Sequence, residues 1–277
     1  MAPTDYLWLA LLGLLAGASG GLLGIGGSIV MIPGMVMLFG ADRQHLYQAA
    51  AMIVNFFVVA PAVIRHLQAK ATLRPVTRLT IPSATLGSVA GVLISELAVF
   101  RGSGQGYLQV CLALFLGYAV LHNLVRLTAK NHLPDMSEDE ASRLSKAAII
   151  GLVGLPAGLL GGLLGVGGGL IAVPAQQIGL RIPLRRAIAN SASTILWSSV
   201  IGAVVKNAML AHHGFNVRQS CLLALCLGPP AILASYLTAL RVHQWPVAII
   251  RAAFVCLLLY CGGRLLLAGW AQALSDT

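Results

Sequence analysis

A glycine-rich stretch of 21 residues occurs twice in this chain of 277 residues, and the repetition constrains the fold more than any other feature. The first copy runs from Gly13 to Pro33 and the second from Gly154 to Pro174. Twelve of the 21 positions are identical at a constant shift of 141 residues, without a gap. At the same shift Arg65 falls on Lys206, well beyond the glycine-rich stretch. The sequence therefore predicts two homologous units.

The chain has the composition of a membrane protein. It is 58% hydrophobic and 9% charged, with a mean hydropathy of +0.86, which is far more apolar than a soluble domain. No formally charged residue lies between Asp5 and Asp42 or between Lys146 and Arg181, so each glycine-rich stretch lies in a segment longer than the roughly 20 residues of one crossing. The net charge of +10 comes from short loops and does not indicate a nucleic-acid partner.

We predict an all-α polytopic fold of about eight transmembrane segments, four in each unit, in which the first helix of each unit is broken by glycines. The first unit covers residues 1–129 and the second covers 147–277, and a polar linker, 130–146, joins them. Apart from the glycine-rich segments, the expected spans are 46–64, 79–100, 107–125, 187–205 and two that end at Leu240 and Leu267.

The orientation of the two units depends on whether the glycine-rich segments cross the membrane. If each unit crosses four times, eleven Lys and Arg residues lie on the side of the 65–78 loop and the linker, against seven on the other side. The positive-inside bias then makes the first side cytoplasmic. If the segments instead dip in and return, each unit has an odd number of spans and the units are inverted.

The run from Gly24 to Ser28 predicts a helix break, because each glycine costs about 1 kcal/mol relative to alanine inside a helix. Backbone groups released by a break must be buried in protein or line an aqueous cavity. A half-helix that restarts there directs free N–H groups and its positive dipole end at an anion. An alternative is that the glycines only allow close helix packing. The predicted binding residues of the two breaks are Gly24, Gly26, Gly27, Ser28, Gly165, Gly167, Gly168 and Gly169.

Other polar residues inside the apolar runs are secondary candidates. Asn55, Asn190 and Ser191 can bind substrate or form hydrogen bonds across helices. Arg65 and Lys206 end matching spans, where they either anchor the helix at the interface or attract an anion electrostatically. Near the end of its span, Glu96 is interfacial, paired or involved in proton coupling. The histidines at span ends, His66, His122, His212 and His213, are expected to cap or anchor helices.

The sequence indicates no enzyme, no metal site and no cofactor. No nucleophile with a base and no carboxylate or histidine cluster at membrane depth is recognisable, and there is no zinc spacing. The five cysteines fall inside apolar runs and read as packing residues. A passive anion channel and a membrane-embedded enzyme or assembly subunit remain as alternatives to a transporter.

The doubled segment, here Gly20 to Pro33 and Gly161 to Pro174, resembles the signature of the TauE/SafE family, also called YfcA or TSUP. The resemblance covers most of the chain. It implies a multi-pass protein of the bacterial inner membrane that exports small sulfur-containing anions such as sulfite, sulfoacetate or related organosulfonates. It also implies coupling to a gradient of protons or another ion. Where the family has a third glycine, the first copy has Ser28 and the second keeps Gly169, so the two half-sites are expected to differ.

Overall fold

The computed structural model describes residues 3–23, 26–40, 42–100, 105–128 and 134–241, together with 255–256, 259, 262–263 and 266–267. Helices account for the regular structure of these residues, and no strand occurs among them. The predicted span that ends at Leu267 lies largely outside the described residues. The helices are α1 Pro3–Leu23, α2 Ser28–Phe39, α3 Gln44–Gln68, α4 Arg74–Ser95, α5 Gln105–Thr128, α6 Glu138–Ser142, α7 Lys146–Ala148, α8 Leu155–Leu164, α9 Gly169–Gly179, α10 Leu184–Met209 and α11 Val217–Arg241.

Among the described residues, five helical segments are long and apolar enough to cross a membrane, so the chain is an integral, multi-pass membrane protein. One of them consists of α7 and α8, which a π-helical segment at Ile149–Gly154 joins into a continuous helix. Two shorter apolar helices cover Ser28–Phe39 and Gly106–Tyr118. The five segments are Gln44–Gln68, Arg74–Ser95, Lys146–Leu164, Leu184–His213 and Val217–Thr238.

Both glycine-rich stretches interrupt a helix, as the sequence predicted. In the first, α1 ends at Leu23 and α2 begins at Ser28, and in the second, α8 ends at Leu164 and α9 begins at Gly169. The breaks contain backbone with positive φ, +86° at Gly26 and +76° at Gly167. Side chains with a Cβ rarely adopt this conformation, which explains the need for glycine.

After each break the chain turns back and forms a helical hairpin. A Cβ added at Gly27 would lie 3.0 Å from the carbonyl oxygen of Ala16, and one added at Gly34 would touch Leu12, so α2 runs antiparallel to α1. In the second hairpin, a Cβ at Gly168 would meet Ala157 and one at Gly179 would lie 3.5 Å from Leu152, so α9 likewise runs antiparallel to α8. Of the two alternatives for the glycine-rich segments, this geometry favours the one in which each segment enters the membrane and returns to the same side.

The two long helices α3 and α10, which the 141-residue shift aligns, pack against each other in opposite directions. Near one end Lys206 contacts His45, and in the middle a Cβ at Gly202 would lie 3.2 Å from the methyl carbon of Met52. Toward the other end Val59 and Val63 share an apolar cluster with Ala192 and Ile195. The connections that follow α2, α4 and α10 therefore lie at one end of this pair, which we call the α3-start end. The connection between α3 and α4 lies at the other, the α3-finish end.

The earlier glycines of each copy serve helix packing, which was the alternative interpretation of the motif. Gly13, Gly17 and Gly21 of α1 lie against Leu227, Ala231 and Ser235 of α11, in parallel order. Gly158 and Gly162 of α8 lie in the same way against Ala84 and Ser88 of α4. Each hairpin therefore packs its first helix on the other half of the chain. In both halves the N-terminal glycines of the motif allow close helix packing, and the C-terminal glycines form the break.

The basic segment 65–78, which we predicted to be a loop, is mostly helical. Only residues 69–73 connect α3 to α4, and α4 begins at Arg74 with a proline in its first turn. Proline suits this position because its missing N–H would have no partner there and its φ is already helical. Charge alone was a poor guide to the helix boundary.

We predict that Gly158→Ala lowers the stability of the protein by about 1–3 kcal/mol, the usual cost of overpacking. The added Cβ would lie 2.7 Å from the Cα of Ala84, so α4 and α8 would have to separate. The measurement is the thermal midpoint of the detergent-purified protein. Gly151→Ala, in the same membrane segment, is the control, because nothing lies within 4 Å of its new Cβ. Equal midpoints for the two variants would contradict the packing described here.

Candidate functional site

The tips of both hairpins meet at the side chain of Asn55, near the middle of α3. The backbone N–H of Gly27 donates a hydrogen bond of 2.8 Å to Asn55 Oδ1. A Cβ added at Gly26 would lie 2.8 Å from Asn55 Nδ2, and one added at Gly167 would also touch this nitrogen. Asn55 is fully buried. It lies eleven residues from the start of α3 and thirteen from its end, or about 16 and 20 Å at 1.5 Å per residue.

Some hydrogen-bond donors at this junction lack partners among the described residues. Asn55 Nδ2 is buried and has no hydrogen bond, and the same is true of Ser28 Oγ at the first residue of α2. The first N–H groups of α2 and α9 have no acceptor inside their own helices, since no earlier turn precedes them. Buried donors without partners are rare in folded proteins and call for a bound acceptor such as an anion or water. We call this junction the central site, made by Gly26, Gly27, Ser28, Asn55, Gly167, Gly168 and Gly169.

The remaining break residues lie close to the central site or outside the described residues. Gly24 belongs to the latter. Gly165 packs against Gln48, which lies about two helical turns from Asn55. The Gln48 side-chain amide donates a hydrogen bond of 3.3 Å to the carbonyl oxygen of Leu163. Within the central site, Gly168 precedes α9 with a φ of +72°, and a Cβ added there would meet Ala157. Their assignment to substrate binding stays a prediction.

The structure does not bring Asn190 to the central site. Its Oδ1 accepts a 2.8 Å hydrogen bond from the backbone N–H of Leu73, and its Nδ2 donates 2.9 Å to Gln176 Oε1. Gln176 in turn donates to backbone carbonyls of α9 and α10. The Asn190 amide thus holds the α3–α4 connection against α9. Ser191 is buried and its Oγ has no hydrogen bond, so it stays a candidate contact.

Arg65 and Lys206 occupy matching sequence positions but lie at opposite ends of the α3–α10 pair, because the two helices are antiparallel. Arg65 is exposed at the α3-finish end. Lys206 is 1% exposed, and its ammonium lies 3.0 Å from Glu96 Oε1. A buried and paired ammonium is a weak long-range attractor, so the geometry favours electrostatic attraction for Arg65 and not for Lys206. Both assignments stay predictions.

Lys206 belongs to a buried group of four titratable side chains, His45, Glu96, Lys206 and His213, which we call the charge cluster. The Lys206 ammonium contacts three acceptors, at 2.6 Å to His45 Nδ1, 2.7 Å to Ser95 Oγ and 3.0 Å to Glu96 Oε1. Glu96 Oε2 lies 2.6 Å from His213 Nε2. The rings of His45 and His213 stack with centroids 3.7 Å apart. All four residues lie at the α3-start end.

The ligand atoms of His45, Glu96 and His213 lie within 4.8 Å of one another, which is close enough to hold a metal ion. The Lys206 ammonium, however, already contacts both His45 Nδ1 and Glu96 Oε1. A cationic group therefore occupies the position that a metal cation would take, and its charge would repel one. The charge cluster fits an ammonium group and not a metal.

A polar cavity of about 420 Å³ opens at the α3-finish end. Arg186 donates two hydrogen bonds to the Asp135 carboxylate, at 3.0 and 3.1 Å. These bonds hold the pKa of Asp135 below its ordinary value, so this carboxylate stays ionised at neutral pH. Three cationic residues and one acidic residue surround the cavity, which is therefore net positive. Its lining consists of Ala69, Lys70, Ala71, Asp135, Pro183, Arg185 and Arg186.

The sequence also matches a known protein family. The sequence profile described as "Sulfite exporter TauE/SafE" matches residues 9–265. The chain belongs to this family. No solved structure matches it significantly.

Curated relatives of this TauE/SafE protein carry transporter names. It is 29% identical to the "Probable membrane transporter protein MamO" of Paramagnetospirillum magneticum and 30% identical to MamO of Magnetospirillum gryphiswaldense, each over 90% of the chain. The chain spans less than half the length of these two proteins, 42% and 43%. It is also 26% identical to the "Probable membrane transporter protein YunE" of Bacillus subtilis, over 82% of the chain and 85% of YunE.

Two groups in this TauE/SafE protein escaped the sequence analysis. His45 lies in the first turn of α3 and is fully buried. Gln48, one turn later, contacts the tip of the second hairpin. A signal for the charge cluster was present, since Glu96 and Lys206 are opposite charges in or beside apolar runs and each needs a partner there. The cluster forms only because α3, α4 and α10 lie next to one another, and the sequence alone does not reveal that arrangement.

We predict that Lys206→Met lowers the free energy of unfolding by about 3–5 kcal/mol, because it leaves the buried Glu96 carboxylate without its ammonium partner. The double variant Glu96→Gln/Lys206→Met should lose less than Lys206→Met alone. Equilibrium unfolding of the purified protein in mixed micelles measures both. Lys146→Met, at an exposed lysine, serves as the control. A Lys206→Met protein as stable as the wild type would contradict the buried ion pair.

Proposed function

We propose that this protein is a secondary transporter of the bacterial inner membrane that exports small sulfur-containing anions, such as sulfite, sulfoacetate or a related organosulfonate. One observation supports the proposal above all others. Two glycine breaks and the unpartnered Nδ2 of Asn55 form a buried group of donors near the middle of α3. Transporters hold substrates at such discontinuous helices near the bilayer midplane.

The donors of the central site suit an oxyanion. A sulfite or sulfonate group presents three oxygen acceptors, and the central site offers the Asn55 Nδ2 donor, the Ser28 hydroxyl and the first N–H groups of α2 and α9. Both α2 and α9 begin at the hairpin tips, so the positive ends of their dipoles lie at this junction. They favour a negative charge there without any cationic side chain. A neutral site of this kind can release the anion after binding it, which transport requires.

The helix directions support two units of opposite orientation. Within each unit a hairpin enters and returns, and the helix that follows runs antiparallel to its counterpart in the other unit. We infer inverted repeats of about four segments each, eight in all, in which the hairpins approach the central site from opposite sides. Rocking of one unit against the other would then expose the site to each side in turn.

Charge at the two ends of the α3–α10 pair supports a direction of transport. Basic residues among the described helices and connections concentrate at the α3-finish end, where the net positive cavity also opens. The positive-inside bias makes this end cytoplasmic. Cytoplasmic anions would be attracted there before they reach the central site. The residues in question include Arg65, Lys70, Arg74, Arg143, Lys146, Arg181, Arg185 and Arg186.

The test is transport of labelled sulfite and labelled sulfoacetate by the purified full chain in liposomes, with and without an imposed proton gradient. Gradient-driven accumulation of one anion, competed by the other, supports the proposal. Flux that only dissipates an anion gradient would make the protein a channel. Absence of flux of any small oxyanion would overturn the assignment as an anion transporter.

We predict that Gly167→Ala reduces this transport by more than tenfold. The added Cβ would touch Asn55 Nδ2 and lie 3.2 Å from Ile195, and residue 167 has a φ of +76° that alanine adopts only with strain. Gly214→Ala is the matched control, because residue 214 has a φ of +74° but open space around its Cβ. Both proteins should insert and purify as the wild type does. Equal transport by the two variants would remove Gly167 from the site.

We also predict that Asn55→Asp weakens binding of the transported anion by at least tenfold. The aspartate keeps an oxygen for the Gly27 N–H, so the hairpin tip stays attached, but it replaces the Nδ2 donor with a negatively charged acceptor. Equilibrium binding of labelled anion to the purified protein measures the change. An unchanged affinity would show that Nδ2 does not face the substrate.

A further inference from the structure

The charge cluster lies away from the central site, and the proposed anion-binding mechanism makes no use of it. His45 is ten residues from Asn55 along α3, a distance of about 15 Å at 1.5 Å per residue. Ionisable groups buried inside a membrane protein are costly and typically mark ion pathways or proton relays. The charge cluster therefore requires a functional account of its own.

The hydrogen bonds assign the protonation state of the cluster. His45 Nε2 lies 3.0 Å from the carbonyl oxygen of Phe100, an acceptor only, so Nε2 carries the proton. His45 Nδ1 then accepts from Lys206, and the imidazole is neutral. The three N–H groups of Lys206 are all used, by His45, Ser95 and Glu96, as expected for a charged ammonium. When His213 is a neutral imidazole that donates through Nε2 to an ionised Glu96, the four side chains carry no net charge.

The cluster joins the two halves of the chain. His45 begins α3 and Glu96 follows α4, both in the first half, whereas Lys206 ends α10 and His213 lies in the 3₁₀ turn after it, in the second half. The contacts of Glu96 with Lys206 and His213, and of His45 with Lys206, all cross between the halves. They close the molecule at the α3-start end, where Lys206 and Glu96 are at most 8% exposed.

The α3-finish end has no equivalent of this closure at the positions that the 141-residue shift relates. There Arg65 takes the place of Lys206 and is exposed, and Arg186 takes the place of His45 and pairs with Asp135 of the linker. The two ends of the α3–α10 pair are therefore chemically different. One end is open, basic and polar, and the other is closed by a neutral set of paired charges.

One added proton would leave the cluster with a net charge of +1 in a buried position. A proton on Glu96 removes the attraction between its carboxylate and the Lys206 ammonium. It also turns one carboxylate oxygen, which accepts from Lys206 or His213, into a hydroxyl donor. On His213, it places a second cation within the cluster, stacked on His45. The titratable groups that face Glu96 from the described elements are His45 of α3, Lys206 of α10 and His213 of the turn. In either position the proton weakens the contacts between the halves.

We propose that the charge cluster is the proton-binding site that couples export to the proton gradient. A proton from the α3-start side binds to the Glu96–His213 pair, the contacts between the halves break, and the central site opens to that side and releases the anion. The proton leaves toward the other side when the halves return, so one proton enters as the anion exits. This inference rests on the proposed function and assigns the coupling ion and its residues.

The test compares wild type, Glu96→Gln and the control Glu138→Gln, which removes an exposed carboxylate from the linker helix. Proteoliposomes are assayed for exchange of labelled sulfite at equal pH on both sides, for accumulation driven by a pH gradient, and for proton entry with a trapped pH dye. Wild type and Glu138→Gln should show pH-dependent exchange, accumulation and proton entry. Glu96→Gln should lose at least tenfold in accumulation and in sulfite-linked proton entry, and its exchange rate should no longer vary with pH.

Accumulation by Glu96→Gln at the wild-type level would overturn the proposal. If Glu96→Gln loses exchange as well or does not fold, Glu96→Asp decides, because it restores a titratable carboxylate. Return of pH-dependent accumulation in Glu96→Asp supports the proton site, and pH-independent exchange in that variant overturns it. Absence of sulfite and sulfonate flux in the wild type is a different result, since it overturns the proposed function itself.

Discussion

Backbone groups released inside a membrane must find partners within the protein, and the fold depends on how this chain meets that requirement. Lipid offers no hydrogen bonds, so the glycine breaks between α1 and α2 and between α8 and α9 are tolerable only where side chains and other helices surround them. Asn55 supplies the acceptor for Gly27, α3 contacts both tips, and Ile195 of α10 lies beside the second tip. The same requirement leaves donors directed inward, which is the basis of an anion site without cationic side chains.

Close packing and helix breaking come from one repeated motif, but they use different glycines. Gly17 and Gly158 let each hairpin approach the other half of the chain to within backbone contact, and Gly26 and Gly167 provide the positive φ of the tips. A bulky residue at the first kind of position separates helices, and one at the second distorts the central site. This division explains how a chain with so few charged residues positions a polar site at its centre.

The two halves resemble each other in sequence and differ in electrostatics. At the α3-start end buried charges pair across the halves, and at the α3-finish end basic side chains surround an open cavity. Alternating exposure of a central site needs two states of similar free energy and a ligand that favours one of them. A neutral buried cluster that acquires charge when it binds a proton provides such a bias at one end only, and this difference gives transport a direction.

The sequence by itself determined that the chain is helical, that it lies in a membrane, that its glycine-rich helices break, and which family it belongs to, because composition, apolar runs and the doubled motif are local properties. It also singled out Asn55, as one of three polar candidates of equal standing. Only the tertiary structure distinguished Asn55, which meets both tips, from Asn190, whose amide oxygen and nitrogen bind Leu73 and Gln176. It alone revealed His45 and paired Glu96 with Lys206, more than one hundred residues apart. The reason is physical: antiparallel packing of α3 against α10 brings opposite ends of the two units together, and no spacing along the chain encodes which ends those are.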